Sequence, residues 1–395
     1  MVVALVAACD PGEREARPYA GRWESDGFGL YLDVHGSGID VFEHTDRHCL
    51  QIAAAPARGV SDVISDEGGR LVLRDGGRVI RFDEVPALPA SCAERASADP
   101  SAVFTVAVAT IAELHYPAPG DAWLARAADL GESLTAGTDE EGLVGVLIDA
   151  LALLGDPEIR LATRGVAPSW PSAPVIGARL EQRWPSAWEG RAVAGEAAPG
   201  VAYLGLLRLV VESEGDQRGL ASALDAALAG ADGAIVDLRA ASGGVEEAAL
   251  QVATRFVPTQ GVVASLRARS GDGLVPAGEL SVTPLATGTF PGPVVVLVGP
   301  GTSGAGELLA RILSGLPGVT IVGGPTSGSP REPLVRSLPN GWSLGVPNLD
   351  VIGPDGASWL EPLIPDVDAP TTAGDLEAGG DPGLEAALRL LGGGL

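Results

Sequence analysis

The residues best placed to do chemistry lie where an apolar strand runs into a helix. Val294-Val-Val-Leu-Val298 is followed by Gly299-Pro-Gly-Thr302-Ser303-Gly304-Ala305-Gly306-Glu307 and then by an apolar helical pattern. A strand-to-helix turn exposes its apex residue and aims helix amides at it, which suits a nucleophile. Ser303 carries a hydroxyl beside that apex; its simpler role is N-cap of the helix that follows, where serine is favoured. A second turn, Ile235-Val-Asp237-Leu-Arg239-Ala-Ala241-Ser-Gly243-Gly244, leads from a buried strand into another helix. Amides at such a turn can stabilise an oxyanion, or its glycines serve only the backbone conformation. A third, Ile321-Val-Gly323-Gly324-Pro-Thr-Ser-Gly328, precedes Asp355-Gly356 and Glu361-Pro-Leu-Ile-Pro365-Asp366.

Bases are scarce. The chain contains no lysine, which excludes a lysine general base and a Schiff base. Its 4 histidines (His35, His44, His48 and His115) all precede residue 116, so the segment carrying the three turns has none. His115 lies on an amphipathic helical stretch, where a histidine is more often structural than catalytic. No Cys-x-x-Cys or Cys/His spacing suggests a metal site, and no cofactor is expected.

The elements that must hold these turns follow from patterning. Tyr19 to about Val85 alternates apolar and polar residues between turn signals at Glu67-Gly68-Gly69 and Asp75-Gly76-Gly77, which reads as antiparallel hairpins. Between residues 97 and 162 the period becomes helical, with apolar stripes over Val106–Leu114, Ala122–Leu130 and Glu141–Leu154. Residues 163–199 are rich in Pro, Trp and Gly and read as a connector with short strands. From Gly200 strands alternate with helices, which implies a mainly parallel sheet including Val201–Val211, Ala234–Leu238, Val262–Leu266, Val294–Val298 and Val319–Val322. Asp381–Leu391 reads as a terminal helix. The expected division is 1–18, a signal remnant and tether; 19–95, a small β unit; 96–162, a helical cap; 163–199, the connector; 200–370, an α/β core; and 371–395, a tail with a short helix.

Composition narrows the partners. The 395 residues are 46% hydrophobic and 19% charged, enough for a sizeable core. A net charge of −25 repels nucleic-acid phosphates and anionic lipid heads. The start, Met1-Val-Val-Ala-Leu-Val-Ala-Ala-Cys9, ends in a segment similar to a bacterial lipobox, although its apolar stretch is short and no basic residue precedes it. Membrane association would then run through lipid on Cys9 and place the protein in a bacterial cell envelope. Removing Cys9 leaves Cys49 and Cys92. As a disulfide they would stabilise the fold by roughly 4 kcal/mol in the chain-entropy model; free buried thiols are the alternative.

The three turns, in this order, resemble the tail-specific (C-terminal-processing) serine peptidase family, whose relatives include tricorn protease and interphotoreceptor retinoid-binding protein. That family carries D-L-R-x-N-x-G-G, then V-L-V-N-x-x-T-x-S-A-x-E, then G-E-x-T-x-G, then D-G…E…G-x-x-P-D. Glu113-Leu-His115-Tyr116 and Leu153-Leu-Gly-Asp156 fall where it has E-x-H-Y and L-x-D-x-H. The resemblance covers about residues 97–370 and implies an α/β fold: a crotonase-like ββα core with a helical cap, beside the N-terminal β unit. It also implies peptide bond hydrolysis, with a peptide or protein C-terminal segment as partner.

The departures fall on the chemistry. Gly304 occupies the family's nucleophile position, Glu158 the histidine position of one branch, and Ala241 the asparagine of the oxyanion-side turn. Glu361 matches the acid that orients the base, and Gly243, Gly244 and Ala305 match the oxyanion and binding positions. Three readings remain open at this level. One is a pseudopeptidase that binds a peptide tail or apolar ligand, as the retinoid-binding relative binds with this fold. Another is an active peptidase in which Ser303 attacks, with His115 or Glu158 as base. The third is a structural envelope lipoprotein acting through its N-terminal strands.

Overall fold

The computed structural model describes residues 19–36, 38–56, 64–75, 77–94, 96–163 and 173–392. Cys9 and the 1–18 segment lie outside them. In chain order the strands and helices are β1 (Gly21–Ser25), β2 (Leu30–His35), β3 (Gly38–Thr45), β4 (His48–Pro56), β5 (Ile64–Asp66), β6 (Leu71–Asp75), β7 (Arg78–Val85), α1 (Pro100–Leu114), α2 (Asp121–Gly131), α3 (Glu140–Ala152) and β8 (Arg160–Ala162). Then come α4 (Ala173–Arg183), β9 (Ser186–Ala187), β10 (Ala192–Ala198), β11 (Val201–Leu206), α5 (Glu214–Leu228), β12 (Gly233–Asp237), α6 (Glu246–Ala253), β13 (Gly261–Ser270) and β14 (Gly273–Val282). The chain finishes with β15 (Val294–Val298), α7 (Ala305–Ser314), β16 (Val319–Gly323), β17 (Leu334–Ser337), β18 (Ser343–Val346), β19 (Leu349–Ile352), β20 (Val367–Asp368), α8 (Ala373–Glu377) and α9 (Pro382–Leu390).

These elements form two compact units. The first takes residues up to Pro168 with Ser265–Glu279 and Pro333–Asp350; the second takes Ser169–Ala264, Leu280–Glu332 and Val351–Leu395. This grouping differs from the six consecutive segments expected. The physical reason is strand pairing: β14 meets β7 through Gly278 opposite Arg78, so residues 265–279 join the N-terminal strands.

In the first unit β1 to β4 form an antiparallel meander, and β7 returns to pair with β1. Leu30, Leu32, Leu71, Leu73, Ile80 and Phe82 are wholly buried, as alternation predicts for strands with one covered face. α1 starts with Pro100 in its first turn, where the missing amide hydrogen costs nothing, and buries Val103, Ala107 and Ile111. Trp123 of α2 donates through Nε1 to the Ala150 carbonyl of α3 at 2.9 Å, which fixes those two helices against each other. A 3₁₀ turn at Ala90–Ala93 brings Cys92 to Cys49 of β4, and the two form a disulfide.

A polar group is buried among these strands. Arg336 of β17 is 3% exposed, forms an ion pair with Glu43 of β3 at 3.7 Å and donates to the Phe28 carbonyl. His44 stacks on Tyr31 with ring centroids 3.8 Å apart, and His48 shares a 2.6 Å hydrogen bond with Thr45. Burial, reinforced by the Arg336 charge, pushes both imidazoles down to about 4, so they are neutral in the folded protein at neutral pH. Unfolded histidine takes its proton near ~6.5, so acid favours the unfolded chain. Wild type should therefore lose stability relative to a His44→Gln/His48→Gln variant as pH falls from about 6.5 to about 4. Above that window the difference should be constant. Urea unfolding of both proteins across pH checks this, and the comparison cancels the opposing contribution of Glu113, whose carboxyl burial raises to about 7.

The second unit is built on a seven-stranded sheet in the order β20-β16-β15-β12-β11-β10-β9. β11, β12, β15, β16 and β20 run parallel, while β10 and β9 add an antiparallel edge. All of Val294–Val298 is buried because helices cover both faces, so the strand reads as an unbroken apolar run rather than an alternation. Each such side chain contributes roughly 1.5–3 kcal/mol relative to exposure. Ser213 caps α5 by accepting from the Asp216 amide at 3.2 Å.

Two expectations need correcting. Val262–Leu266 is not a strand of the parallel sheet. It belongs to β13, one arm of a hairpin with β14, and it lies in the ten-stranded sheet. Alternating exposure along both arms, turned by Gly271 at φ +56°, accounts for the hairpin. The stretch expected to be only a connector contains helix α4, whose Leu180 is buried in the sheet's core. No described helix is long and apolar enough to cross a membrane.

Candidate active-site turn

The turn after β15 is tied down by its own hydroxyls. Thr302 is fully buried; its Oγ1 accepts from the Gly299 amide at 3.1 Å and donates to the Leu238 carbonyl at 2.9 Å. The chain then reaches Gly304 at φ +56°, ψ −127°, and α7 starts at Ala305. Gly304, not Ser303, occupies the N-cap, and no side chain caps this helix. Ser303 does something else. It is 6% exposed, and its Oγ accepts from the Gly243 amide at 3.2 Å.

That bond belongs to a seam between the two turns. The Ser303 amide donates to the Ala241 carbonyl at 3.1 Å, and the Ala305 amide donates to the Gly243 carbonyl at 3.1 Å. The Gly304 amide donates to the Ser329 carbonyl at 2.7 Å. The seam is tight enough that a Cβ on Gly304 would lie 2.6 Å from Gly243 Cα, and one on Gly306 would lie 2.4 Å from the Ala241 carbonyl oxygen. The apex therefore lacks more than a hydroxyl. Backbone occupies the place where a serine side chain would begin.

The seam also corrects the oxyanion assignment. The amides of Gly243 and Ala305, expected to face a ligand, are bonded to the chain itself. Gly244, at φ +101°, packs against Leu209, whose carbonyl oxygen would lie 2.5 Å from an added Cβ. Amides already bonded within the protein offer no preorganised charge stabilisation to a substrate.

Glu307, in the first turn of α7, organises the neighbouring turn. It is fully buried, accepts from Thr326 Oγ1 at 2.5 Å, from Ser327 Oγ at 2.7 Å and from the Ser329 amide at 2.8 Å. Burial raises its carboxyl, and these three donors and Arg311 oppose the rise. An acidic residue at the third position of a helix, facing a Thr-Ser-x-Ser turn, was the signal available in the sequence. Glu361 is placed differently from expectation. Its side chain is exposed, and its backbone carbonyl accepts from the Arg311 guanidinium.

The second turn is anchored by a buried ionic network. Arg239, 2% exposed, donates to Asp237 through Nη2 at 2.6 Å and to Asp381 through Nη1 at 2.6 Å. Tyr203 Oη donates to Asp237 Oδ2 at 2.6 Å, and Asp381 also accepts from Thr371 Oγ1 and the Leu384 amide. Burial works against the Arg239 charge, yet the two aspartates hold its guanidinium well above the ordinary value. Burial raises the Tyr203 phenol, and the Asp237 charge adds to the rise. The Asp-Leu-Arg motif thus clamps the end of β12 to the start of α9.

The candidate bases belong to the first unit, and each is already engaged there. Glu158, fully buried, accepts from Arg160 Nη2 at 2.8 Å. His115, 4% exposed, meets the Pro117 carbonyl through Nδ1 at 2.7 Å and Asp156 Oδ2 through Nε2 at 3.1 Å. A carbonyl only accepts, so Nδ1 carries hydrogen and Nε2 faces a carboxylate. Both ring nitrogens of His115 are engaged and the Glu158 carboxylate is held by the Arg160 cation, so both side chains are committed to structural contacts. Among the described residues no group of three or more His, Cys, Asp or Glu could hold a metal ion.

Residues 201–369 match the family model of peptidase family S41, a span that contains all three turns. A chain from Parabacteroides merdae ATCC 43184, named as a candidate peptidase, is 20% identical; the match covers 75% of this chain and 97% of that one with a TM-score of 0.59. A lipoprotein from Streptococcus agalactiae is 14% identical, with 77% and 99% covered and a TM-score of 0.50. At these identities the likeness is one of fold. No curated protein matches the sequence. The likeness is thus to the family model of peptidase family S41 over residues 201–369, within a mixed α/β fold shared with these structures.

Proposed function

We propose that this protein is an S41-type peptidase homologue that binds a peptide or protein C-terminal segment without cleaving it. The observation that carries this reading is the Gly304 seam: no side chain at the nucleophile position, backbone where its Cβ would stand, and neighbouring amides bonded internally. The positions corresponding to a base add support, since Glu158 is paired with Arg160 and His115 with Asp156 and Pro117. The crotonase-like description of the core, the helical cap and kinship with the tricorn and retinoid-binding branch belong to this proposal. So does an envelope location through lipid on Cys9, in keeping with the S. agalactiae neighbour of like fold being a lipoprotein.

The test is direct. Purified full-length protein should neither label with a serine-directed fluorophosphonate nor hydrolyse an unstructured peptide, and the same peptide, fluorescently tagged, should bind in an anisotropy titration. Hydrolysis that disappears in Ser303→Ala would overturn the proposal in favour of an active peptidase. The bond from the Gly243 amide to Ser303 Oγ is the observation favouring that second reading, because it leaves the hydroxyl hydrogen available.

A further inference from the structure

Glu113 lies half-buried in the last turn of α1 and has no part in the seam around Gly304. Both its carboxylate oxygens accept from one backbone amide, that of Asp46, at 3.0 and 3.1 Å. Asp46 and Arg47 form the two-residue turn between β3 and β4, where Thr45 pairs with His48. Two-residue hairpin loops normally place one or both central residues at positive φ, because that twist matches the strands. Neither Asp46 nor Arg47 adopts it, so this turn tends to splay the strands it joins. Its own bracing is the Thr45 hydroxyl, which accepts from the Arg47 amide at 3.3 Å and bonds His48 Nδ1 at 2.6 Å. Glu113 adds a grip from outside the hairpin and holds the turn against α1.

That grip is electrostatically weak. Among the described residues Glu113 has no ion-pair partner, and one amide is shared by its two oxygens. Arg269 of β13 directs Nη1 at the Ala112 and His115 carbonyls at the end of α1, at 2.6 and 3.0 Å. His115 is engaged by Asp156 and the Pro117 carbonyl. Burial is the largest influence on the Glu113 carboxyl and raises it to about 7. The Asp46 amide, Arg269 and Arg47 oppose the rise, the Asp46 charge adds to it, and Asp272 acts on Arg269 in turn. Once the turn swings away, water reaches the carboxyl and its ordinary value near ~4.3 returns. The closed contact therefore binds the proton more tightly than the open one. It is firmest in acid, weakens as pH rises from about 4.5 to about 7, and is constant above that. The protonated acid still accepts from the Asp46 amide through its carbonyl oxygen. We infer that the contact between Glu113 and the β3–β4 turn is a pH-sensitive latch, closed when the carboxyl is protonated and loosened when it is ionised.

Hydrogen exchange of the Asp46 amide in the full-length protein tests this, with each rate corrected for the intrinsic pH dependence of exchange. Protection in wild type should fall on the order of 100-fold between about pH 4.5 and about pH 7, then stay level. The amides of Val294–Val298 should show no matching fall, which separates a local release from a loss of global stability. Glu113→Gln keeps an acceptor for the Asp46 amide but cannot ionise, so its protection should not change with pH. The side-chain carboxyl carbon of Glu113, followed by NMR in wild type, should titrate near about 7. That titration decides the matter even where the variant folds poorly. Wild-type protection at Asp46 that does not change with pH overturns the inference. So does an equal fall in Glu113→Gln, a matching fall across Val294–Val298, or a Glu113 carboxyl that titrates at the ordinary value of ~4.3.

Discussion

Replacing Arg239 by methionine is expected to cost about 3–5 kcal/mol of folding stability, because it takes the guanidinium from buried Asp237 and leaves buried Asp381 only Arg183, at 3.9 Å. Asp237 is fully buried and Asp381 is 3% exposed, and both accept 2.6 Å hydrogen bonds from the guanidinium that would be lost. Methionine fills much of the volume, so the loss measures charge rather than cavity. The pH dependence identifies the cause. Without Arg239, burial is left to raise the Asp381 carboxyl, so the variant recovers stability as pH falls and is penalised as pH rises. A deficit that narrows toward about pH 4 in urea unfolding fits this account, and a pH-independent deficit contradicts it. Adding Asp381→Asn should return part of the loss. The local sign should be faster amide exchange in α9, since the clamp ties that helix to β12.

The second large effect concerns the apex. Gly304→Ser supplies the residue type that the resemblance implies at this position, and simple reasoning would expect activity to return. The geometry opposes it. A φ of +56° with ψ −127° strains any residue bearing a Cβ, and that Cβ would stand 2.6 Å from Gly243 Cα and 2.9 Å from Gly243 C. Both neighbours are backbone held by the seam, so neither gives way cheaply. The variant should lose about 3 kcal/mol or more from strain and overpacking together. Gly304→Ala should lose nearly the same, since the cost lies in Cβ and not in the hydroxyl. Neither should label with a fluorophosphonate, with or without Glu158→His. A Gly304→Ser protein as stable as wild type that labels would mean the seam opens freely, and the internal bonding of the amides would lose its weight as an explanation.

These two positions show unequal legibility in one motif set. Asp237-Leu-Arg239 was readable as a buried strand running into a turn, but nothing local pointed to Asp381, 142 residues away from Arg239. Glu307 was in plain view yet unassigned, because its donors at Thr326, Ser327 and Ser329 come from a different turn. A sound local rule makes Ser303 the cap. Ser303 loses that role because Gly243, on another strand-turn, lies within reach of its hydroxyl.

Taken alone, the order of residues determined what depends on period and near neighbours. The apolar run Val294–Val298, the turn and helix after it, the hairpins after Tyr19 and the absence of lysine all follow from composition and spacing. It also placed Gly304 and Glu158 where the resemblance implies a serine and a histidine. The tertiary structure decided what depends on segments distant in sequence: that β13 and β14 form a hairpin in the ten-stranded sheet, that Arg239 bridges to Asp381, and that Gly243 backs onto Gly304. Long-range pairing depends on which backbones and buried charges satisfy one another once the chain is compact, and local propensity carries no record of that. A missing serine was therefore visible from the start, whereas the closure of the space it would need was visible only in three dimensions.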